Sequence, residues 1–288
     1  MASDRPLPGA SLARHVPHLE LLALAGKGSF GEVWLVQDRR TGRLHALKQL
    51  RADCPNPAAA RQLLWNEAEV GRRVTSDYVV RVGEAFLDAT PPHLILEWLS
   101  GETLESRLLR ERQLSCQEAF WIARQCAQGL LDLLRAGFTH GDVKPSNIFL
   151  CRSGLAKLID LGFARPDQRL VDDLDDRSRT LSGTPEYLAP ETLVPSERSG
   201  VARDLYSLGV TLYRMLTGAL PFQGTSVGEI VRQQQQTRAT RLRTLAPHAP
   251  PEAEELVHQL LAKQPLRRGP GLRPVLQTLI GLELATVG

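Results

Sequence analysis

The feature that most constrains the fold is a change in hydrophobic pattern near Gly101. Before this point, short runs rich in Leu, Val and Trp predict strands, and a longer stretch with helical spacing predicts one helix. The predicted strands cover 19–25, 32–37, 43–50, 79–87 and 93–99, and the helix covers 58–74. After this point the pattern predicts helices at 104–112, 116–136, 203–216, 227–236, 252–262 and 274–282, with two short strands at 148–151 and 156–159.

Composition limits the function classes that this pattern leaves open. The 288 residues are 42% hydrophobic and 23% charged, which is enough apolar material for one large domain or two modest lobes. A net charge of +3 is too small to mark a nucleic-acid-binding surface. The four cysteines are far apart, which argues against a disulfide framework or a zinc site. The most apolar segment, 205–220, is short and contains polar residues, so it predicts a buried helix rather than a membrane span.

A glycine string, Gly26-Lys27-Gly28-Ser29-Phe30-Gly31, follows the first predicted strand. In a dinucleotide-binding fold such a string would open a helix. Here it precedes the strand pattern 32–37, which argues against that fold and favours a hairpin between two strands. A glycine hairpin can lie over a phosphate chain and offer backbone N–H groups without side-chain obstruction.

Lys48 and Glu67 are a predicted ion pair. Lys48 alternates with Leu44 and Ala46, so the three side chains share one strand face, where an amine needs a partner. Glu67 lies on the apolar stripe of the predicted helix, whereas Glu69 lies on the opposite, solvated face with Asn66. The alternative is that Glu67 points inward by chance and reaches solvent with its carboxylate.

The densest group of chemically active residues is 140–147, His-Gly-Asp-Val-Lys-Pro-Ser-Asn. It supplies a potential base, a cation and an amide just before a predicted strand. Asp160-Leu161-Gly162 closes the next strand. Carboxylate and amide oxygens at strand ends are ligands that Mg²⁺ prefers, which favours a metal–phosphate site over two solvated loops.

Together these segments resemble the eukaryotic-type protein kinases, specifically the serine/threonine class, with motifs in family order from about Leu19 to Leu279. Residues 180–191 (TLSGTPEYLAPE) resemble the end of the activation segment, and 204–209 (DLYSLG) resemble the buried helix whose Asp anchors the catalytic loop. In the family, an arginine pairs with the glutamate of the Ala-Pro-Glu motif. Arg268 resembles that arginine, and Glu191 is the matching glutamate. The high Arg and Leu content is compatible with a bacterial member.

The resemblance implies a bilobal fold of the α+β class. Residues 1–17 are expected to form a loose leader, 18–97 a small ATP-binding lobe with an antiparallel sheet and one helix, and 98–282 a larger, mainly helical lobe that carries catalysis and substrate binding. The implied reaction transfers the γ-phosphate of ATP to Ser or Thr hydroxyls of protein substrates, with Mg²⁺ as the metal and Mn²⁺ as an alternative. No nucleic-acid partner and no membrane span are expected, the expected location is cytoplasmic, and the oligomeric state is left open.

Residue roles carry over from the family position by position. The implied catalytic residues are Asp142 as proton acceptor, Lys144 and Lys48 as phosphate-binding cations, Glu67 as the partner of Lys48, and Thr184 as a hydrogen-bonding neighbour of Asp142 and Lys144. The implied ATP-binding residues are Gly26, Gly28, Ser29, Gly31, Val33, Ala46, Lys48, Glu97, Leu99 and Phe149, with Leu96 as gatekeeper. The implied metal ligands are Asn147 and Asp160.

Two departures from the family pattern affect the expected regulation. Gly141 stands where most members carry an Arg that grips a phosphate on the activation loop, so Thr180 is expected to be dispensable for basal activity. Gly71 stands where a bulky apolar residue is usual, which predicts a less firmly held helix. These departures leave a pseudokinase scaffold as one alternative, although a pseudokinase would be expected to lack Lys48, Asp142, Asn147 or Asp160, and all four are present. A small-molecule kinase is disfavoured by the segment 183–191.

Overall fold

The structure, a computed structural model, describes residues 16–167, 184–193 and 200–286. The chain divides into two compact units. The first takes in the residues up to Thr75, Val80–Ser100 and Asp160–Phe163, and the second takes in Ser76–Val79, Gly101–Ile159 and the residues from Ala164 onward. These boundaries differ from the predicted division at residues 97 and 98, because 160–163 pack with the first unit and 76–79 with the second. Thr180 and the acidic residues at 172–176 lie outside the described residues.

The first unit contains a five-stranded antiparallel sheet and one helix, as predicted. The strands are β1 (Leu19–Lys27), β2 (Gly31–Asp38), β3 (Leu44–Leu50), β4 (Val82–Phe86) and β5 (His93–Glu97), in the spatial order β1-β2-β3-β5-β4. Helix α1 (Pro57–Arg73) begins after Asn56, whose side chain accepts a hydrogen bond from the backbone N–H of Ala59. This cap satisfies one of the donors that a helix leaves unpaired at its first turn.

The two faces of this sheet have different roles. Leu47 on β3 is buried in an apolar cluster with Val36 and Ile95, which forms the core on one face. Ala46 and Lys48 alternate with Leu47 and therefore lie on the other face. Val16 joins the apolar cluster and is 1% exposed, so the expected loose leader of residues 1–17 is wrong at Val16.

The second unit is mainly helical. Its helices are α2 (Leu104–Glu111), α3 (Cys116–Arg135), α4 (Gly200–Thr217), α5 (Val227–Gln236), α6 (Leu242–Leu245), α7 (Pro251–Leu260) and α8 (Leu272–Ala285). Helices α3 and α4 are largely buried, and α3 packs against α4 and α8. The strands are β6 (Gly101–Thr103), β7 (Phe138–Thr139), β8 (Ile148–Cys151), β9 (Ala156–Leu158) and β10 (Arg165–Pro166), which form a sheet in the order β6-β8-β9 and a two-stranded pair of β7 with β10.

The predicted strand at 79–87 is shorter in the structure. Strand β4 begins only at Val82, and Val79 forms an isolated parallel bridge to Leu158 instead. The backbone N–H of Leu158 donates to the carbonyl of Tyr78 at 2.8 Å, which ties this segment to the second unit. Across the described helices, none combines the length and apolar character that a membrane crossing requires.

Candidate active site

The glycine string forms the hairpin between β1 and β2, as the sequence predicts. The backbone N–H of Gly28 donates to the carbonyl of Gly31 at 2.8 Å and closes the turn. A Cβ atom at Gly31 would lie 2.8 Å from the carbonyl oxygen of Gln49, so only glycine lets β3 approach the hairpin this closely. The backbone N–H groups of Ser29 and Phe30 have no acceptor among the described residues. These amides are therefore available to an anionic ligand.

Lys48 lies at the centre of an ionic network in the first unit. Its Nζ atom is 2.5 Å from Glu67 Oε2 and 3.0 Å from Asp160 Oδ1. Glu67 is 1% exposed, and the side chain of Asp160 is partly exposed. The predicted pair of Lys48 with Glu67 is confirmed, and the same ammonium also contacts the first residue of the 160–162 triplet.

Burial and charge act in opposite directions on the pKa values of this network. Burial by itself lowers the pKa of Lys48, but the charges of Asp160 and Glu67 outweigh burial and raise that pKa above its ordinary value. Burial raises the pKa of Glu67, and Asp160 adds to this effect against the opposing charge of Lys48. One ammonium thus contacts two carboxylates, the buried one of Glu67 and the partly exposed one of Asp160.

Asn66 also holds the 160–162 triplet, a role that the sequence analysis missed. Its Nδ2 atom donates to the carbonyl of Gly162 at 3.1 Å, and the N–H of Gly162 donates to Asp160 Oδ1 at 3.4 Å. Asp160 adopts φ 64°, in the left-handed region that is unfavourable for a residue with a side chain. Helix α1 therefore supports the triplet through Asn66 as well as through Glu67.

Gly71 lies at a close contact between helix α1 and strand β4. It is buried in α1, and a Cβ atom there would lie 2.0 Å from Cγ2 and 2.5 Å from Cβ of Val82 on β4. The absence of a side chain at Gly71 is what lets α1 and β4 approach each other. Val82 fills the space that a side chain at Gly71 would take, and the expectation that this glycine leaves the helix less firmly held stays a prediction.

The segment 140–147 brings its functional groups together in the second unit. Asp142 is 5% exposed, and its Oδ2 atom accepts hydrogen bonds from Asn147 Nδ2 at 2.7 Å and from Lys144 Nζ at 2.8 Å. Asn147 Nδ2 also donates to the backbone carbonyl of Asp142 at 2.9 Å. Both N–H groups of the amide are thereby used on Asp142, which leaves the amide oxygen of Asn147 for a ligand.

Asp204, on helix α4, holds the start of the segment 140–147 through two hydrogen bonds. Its two carboxylate oxygens accept the backbone N–H groups of His140 and Gly141, each at 2.8 Å. The N–H of Asp142 points to His140 Nδ1 at 3.3 Å, so the ring proton lies on Nε2, which is 3.3 Å from the carbonyl of Ile159. Burial raises the pKa of Asp204, while these N–H bonds oppose the shift.

The residues implied in adenine binding lie in both units. Val33 on β2 pairs directly with Lys48 on β3, so Val33, Ala46 and Lys48 share one face of the sheet. Glu97 ends β5, where its Oε1 atom accepts the backbone N–H of Arg81 at 2.8 Å, and Leu99 follows just after this strand. Phe149 belongs to the second unit, where it lies on β8 opposite Thr103 of β6 and Lys157 of β9.

Comparison with known proteins decides the family. The family model described as "Protein kinase domain" matches residues 19–278. The chain belongs to the protein kinase family. It is 33% identical over 213 residues to a "cAMP-dependent protein kinase, catalytic subunit-like" protein of Caenorhabditis elegans, covering 74% of this chain and 51% of that protein. It is 31% identical over 256 residues to a probable serine/threonine-protein kinase of Streptomyces coelicolor, covering 85% of this chain and 37% of that protein.

A bacterial relative from Bifidobacterium longum, the probable serine/threonine-protein kinase PknB, is 30% identical over 266 residues, covering 85% of this chain and 36% of that protein. The resemblance to eukaryotic-type serine/threonine kinases, bacterial members included, is thus confirmed, as is the bilobal kinase fold class. The chain spans about half or less of the length of these relatives.

A cavity of about 560 Å³ lies beside the segment 140–147, within the second unit. Lys144, Thr184, Glu105, Glu186 and Arg214 supply polar groups to its wall. The expected hydrogen bond from Thr184 to Asp142 or Lys144 is absent among the described residues, so that part of the prediction is wrong. Thr184 shares only the cavity wall with Lys144, and its carbonyl accepts the N–H of Tyr187 at 3.0 Å.

The charged residues that line this cavity differ in whether they have hydrogen-bond partners. Arg214 donates to both carboxylate oxygens of Glu105, at 2.7 and 2.9 Å, and to the hydroxyl of Tyr187 at 2.5 Å. Lys144 is paired with Asp142. The Oε2 atom of Glu186 is buried and has no hydrogen-bond partner in the described part of the chain. Glu186 is therefore an acidic residue of the cavity lining without an ion-pair partner among the described residues.

The predicted pair of Arg268 with Glu191 is a buried structural anchor. Arg268 is 0% exposed, and its Nη1 and Nη2 atoms lie 2.5 and 2.7 Å from the two carboxylate oxygens of Glu191. Its remaining donors reach the carbonyls of Ala202, Ala262 and Lys263. A buried pair with its hydrogen bonds completed in this way holds residues 190–191 against α4.

Proposed function

We propose that this kinase domain catalyses the transfer of the γ-phosphate of ATP to Ser or Thr hydroxyl groups of protein substrates. The observation that carries the proposal is the environment of Asp142. Its carboxylate is nearly buried, yet a cation and an amide hold it in one orientation. A carboxylate so placed can accept a proton and orient a hydroxyl.

In the proposed reaction, the substrate hydroxyl oxygen forms a bond to the γ-phosphorus while the bond from that phosphorus to the β–γ bridging oxygen breaks. The products are a phosphorylated protein and ADP, and Asp142 takes the hydroxyl proton before releasing it. Lys144, which already contacts Asp142, would neutralise charge on the transferred group. Lys48 would hold the phosphates of ATP, with Glu67 fixing its position. Phosphoryl transfer depends mainly on such positioning and charge neutralisation.

The side-chain oxygen atoms of Asp160 and Asn147 are suitable ligands for a hard divalent cation. Asp160 offers a partly exposed carboxylate, and Asn147 directs both amide N–H groups to Asp142 and keeps its oxygen. Among the described residues, no group of three or more His, Cys, Asp or Glu side chains could hold a metal by itself. We therefore propose that Asp160 and Asn147 bind Mg²⁺, or Mn²⁺, which would complete its coordination with phosphate oxygens and water and neutralise their charge.

The cavity beside Lys144 is proposed to receive a substrate side chain close to the acceptor hydroxyl. Lys144 contributes to the cavity wall and contacts Asp142, so a peptide that presents its hydroxyl to Asp142 passes beside the cavity. Because the acidic residues Glu105 and Glu186 line the cavity, we expect the side chain to be Arg or Lys. This expectation concerns preference among substrates and leaves the reaction unchanged.

The proposed reaction can be tested with labelled ATP, a peptide library and the variant Asp142→Asn. This change keeps the shape of the side chain and removes its charge, so we expect turnover to fall by about 10²- to 10⁴-fold. The affinity for ATP should remain nearly unchanged. The matched control is Asp88→Asn, which removes a carboxylate from an exposed position.

Two outcomes would contradict the proposal. The first is a wild-type protein that binds ATP and transfers no phosphate to any peptide, which is the behaviour of a scaffold. The second is an Asp142→Asn variant that matches the Asp88→Asn control in turnover. Within the library, a preference for acidic over basic residues near the acceptor would refute the assignment of the cavity.

A further inference from the structure

Arg51 contacts the glycine string but has no part in the reaction described above. It lies one residue beyond the end of β3, in the same unit as the β1–β2 hairpin. Its Nη1 atom donates to the carbonyl of Gly28 at 3.0 Å, and its backbone N–H donates to the carbonyl of Phe30 at 3.1 Å. One residue therefore binds the hairpin tip on both sides of Ser29.

Asp53 fixes the orientation of the Arg51 guanidinium. The Nε and Nη2 atoms of Arg51 donate to the two carboxylate oxygens of Asp53, each at 2.8 Å. This bidentate pair leaves Nη1 directed at Gly28. Asp53 is half exposed, and exposed ion pairs contribute little to stability, so orientation of the guanidinium is the main consequence of the pair.

The contacts of Arg51 hold backbone that would otherwise be loosely attached. Glycine-containing hairpin tips have many accessible conformations, and each must be given up when a ligand is bound. The N–H groups of Ser29 and Phe30 lie between the two carbonyls that Arg51 binds. If those carbonyls are fixed, the intervening N–H groups keep one orientation before the ligand arrives.

We propose that Arg51 is a positioning residue that holds the glycine hairpin in the conformation that binds phosphate, with Asp53 orienting Arg51. The proposal rests on the proposed ATP-dependent function only for the identity of the ligand. Arg51 acts through the carbonyls of Gly28 and Phe30 and takes no direct part in the transfer.

The test compares Arg51→Met, Arg51→Lys and the control Arg61→Met, an exposed arginine on α1. We expect Arg51→Met to raise both the Kd and the KM for Mg-ATP by roughly tenfold, equivalent to about 1.4 kcal/mol, while kcat changes less than twofold. Arg51→Lys should recover part of the affinity, because an ammonium can still reach one carbonyl but cannot form the fork with Asp53. Asp53→Asn should have an effect between those of the two Arg51 variants.

Hydrogen exchange of the backbone N–H of Gly28, measured without nucleotide, gives a readout that does not depend on catalysis. This N–H is bonded to Gly31 within the hairpin, and its exchange should accelerate severalfold in Arg51→Met and remain unchanged in Arg61→Met. Unchanged ATP affinity together with unchanged exchange in Arg51→Met would overturn the proposal. A protein that binds ATP but transfers no phosphate would refute the proposed function and leave this test intact.

Discussion

Substitution of Gly71 by alanine tests whether close packing holds the helix that carries Glu67. A Cβ atom at this position would lie 2.0 Å from Val82 Cγ2, whereas carbon atoms in contact are normally about 3.5–4.0 Å apart. Rotation of the Val82 side chain cannot relieve the contact, because Val82 Cβ would also lie only 2.5 Å away. The helix or strand β4 must therefore shift by roughly 1 Å or more.

The size of the effect follows from two opposing contributions. Alanine gains about 1 kcal/mol over glycine inside a helix, and overpacking in a buried site costs about 1–3 kcal/mol. Because the overlap includes a Cβ atom on each side, we expect the upper part of that range and a net loss of about 1–2 kcal/mol in the free energy of unfolding. This corresponds to a fall in Tm of roughly 2–8 °C. Activity should fall as well, because Glu67 lies one turn before Gly71.

Gly281 provides a matched control inside helix α8. A Cβ atom there would meet nothing within 4 Å, so Gly281→Ala should raise Tm through helix propensity alone. A double variant, Gly71→Ala with Val82→Ala, should be more stable than the sum of the two single changes predicts, since truncation of Val82 removes the overlap. Thermal unfolding of all four variants measures these effects. If Gly71→Ala raises Tm as Gly281→Ala does, the packing argument is wrong.

Two further variants test the metal site and the buried ion pair. Asp160→Ala should abolish the Mg²⁺-dependent part of the Tm increase that ATP produces, because the variant lacks a carboxylate ligand; a full Mg²⁺-dependent increase would refute the ligand assignment. Arg268→Met should lower the free energy of unfolding by about 3–5 kcal/mol in denaturant titrations, because Glu191 is left buried and unpaired. Adding Glu191→Gln should recover part of that loss, and the argument fails if Arg268→Met alone is neutral.

The sequence predicts those parts of the site that depend on local pattern. Helical spacing distinguishes Glu67 from Glu69, and the structure places Glu67 against Lys48 while Glu69 pairs with Arg73. The order of strands and helices follows in the same way, because period-2 and period-3.6 patterns are properties of short segments. Strand β8, at 148–151, and helix α5, at 227–236, have the predicted bounds.

The parts that the sequence could not predict depend on contacts between distant segments. Asn66 lies on the more polar side of α1, and nothing in its neighbourhood indicates that its amide reaches the carbonyl of Gly162, 96 residues later. Gly71 has an unfavourable helix propensity when considered alone, and only the position of Val82 shows why glycine is required. Arg51 follows a strand as many surface arginines do, and its role becomes visible only when the hairpin folds back onto β3.

Two residues with positive φ show how strain is distributed around the proposed site. Gly141 has φ 79°, which costs a glycine little, and its N–H is held by Asp204. Asp160 has φ 64°, which is unfavourable by about 1 kcal/mol for a residue with a Cβ atom. In this conformation its carboxylate contacts Lys48. Of these two positions, only Asp160 combines a positive φ with a side chain, and that side chain contacts Lys48. The conformation at Gly141 is set from α4, because the Asp204 carboxylate accepts the backbone N–H groups of both His140 and Gly141.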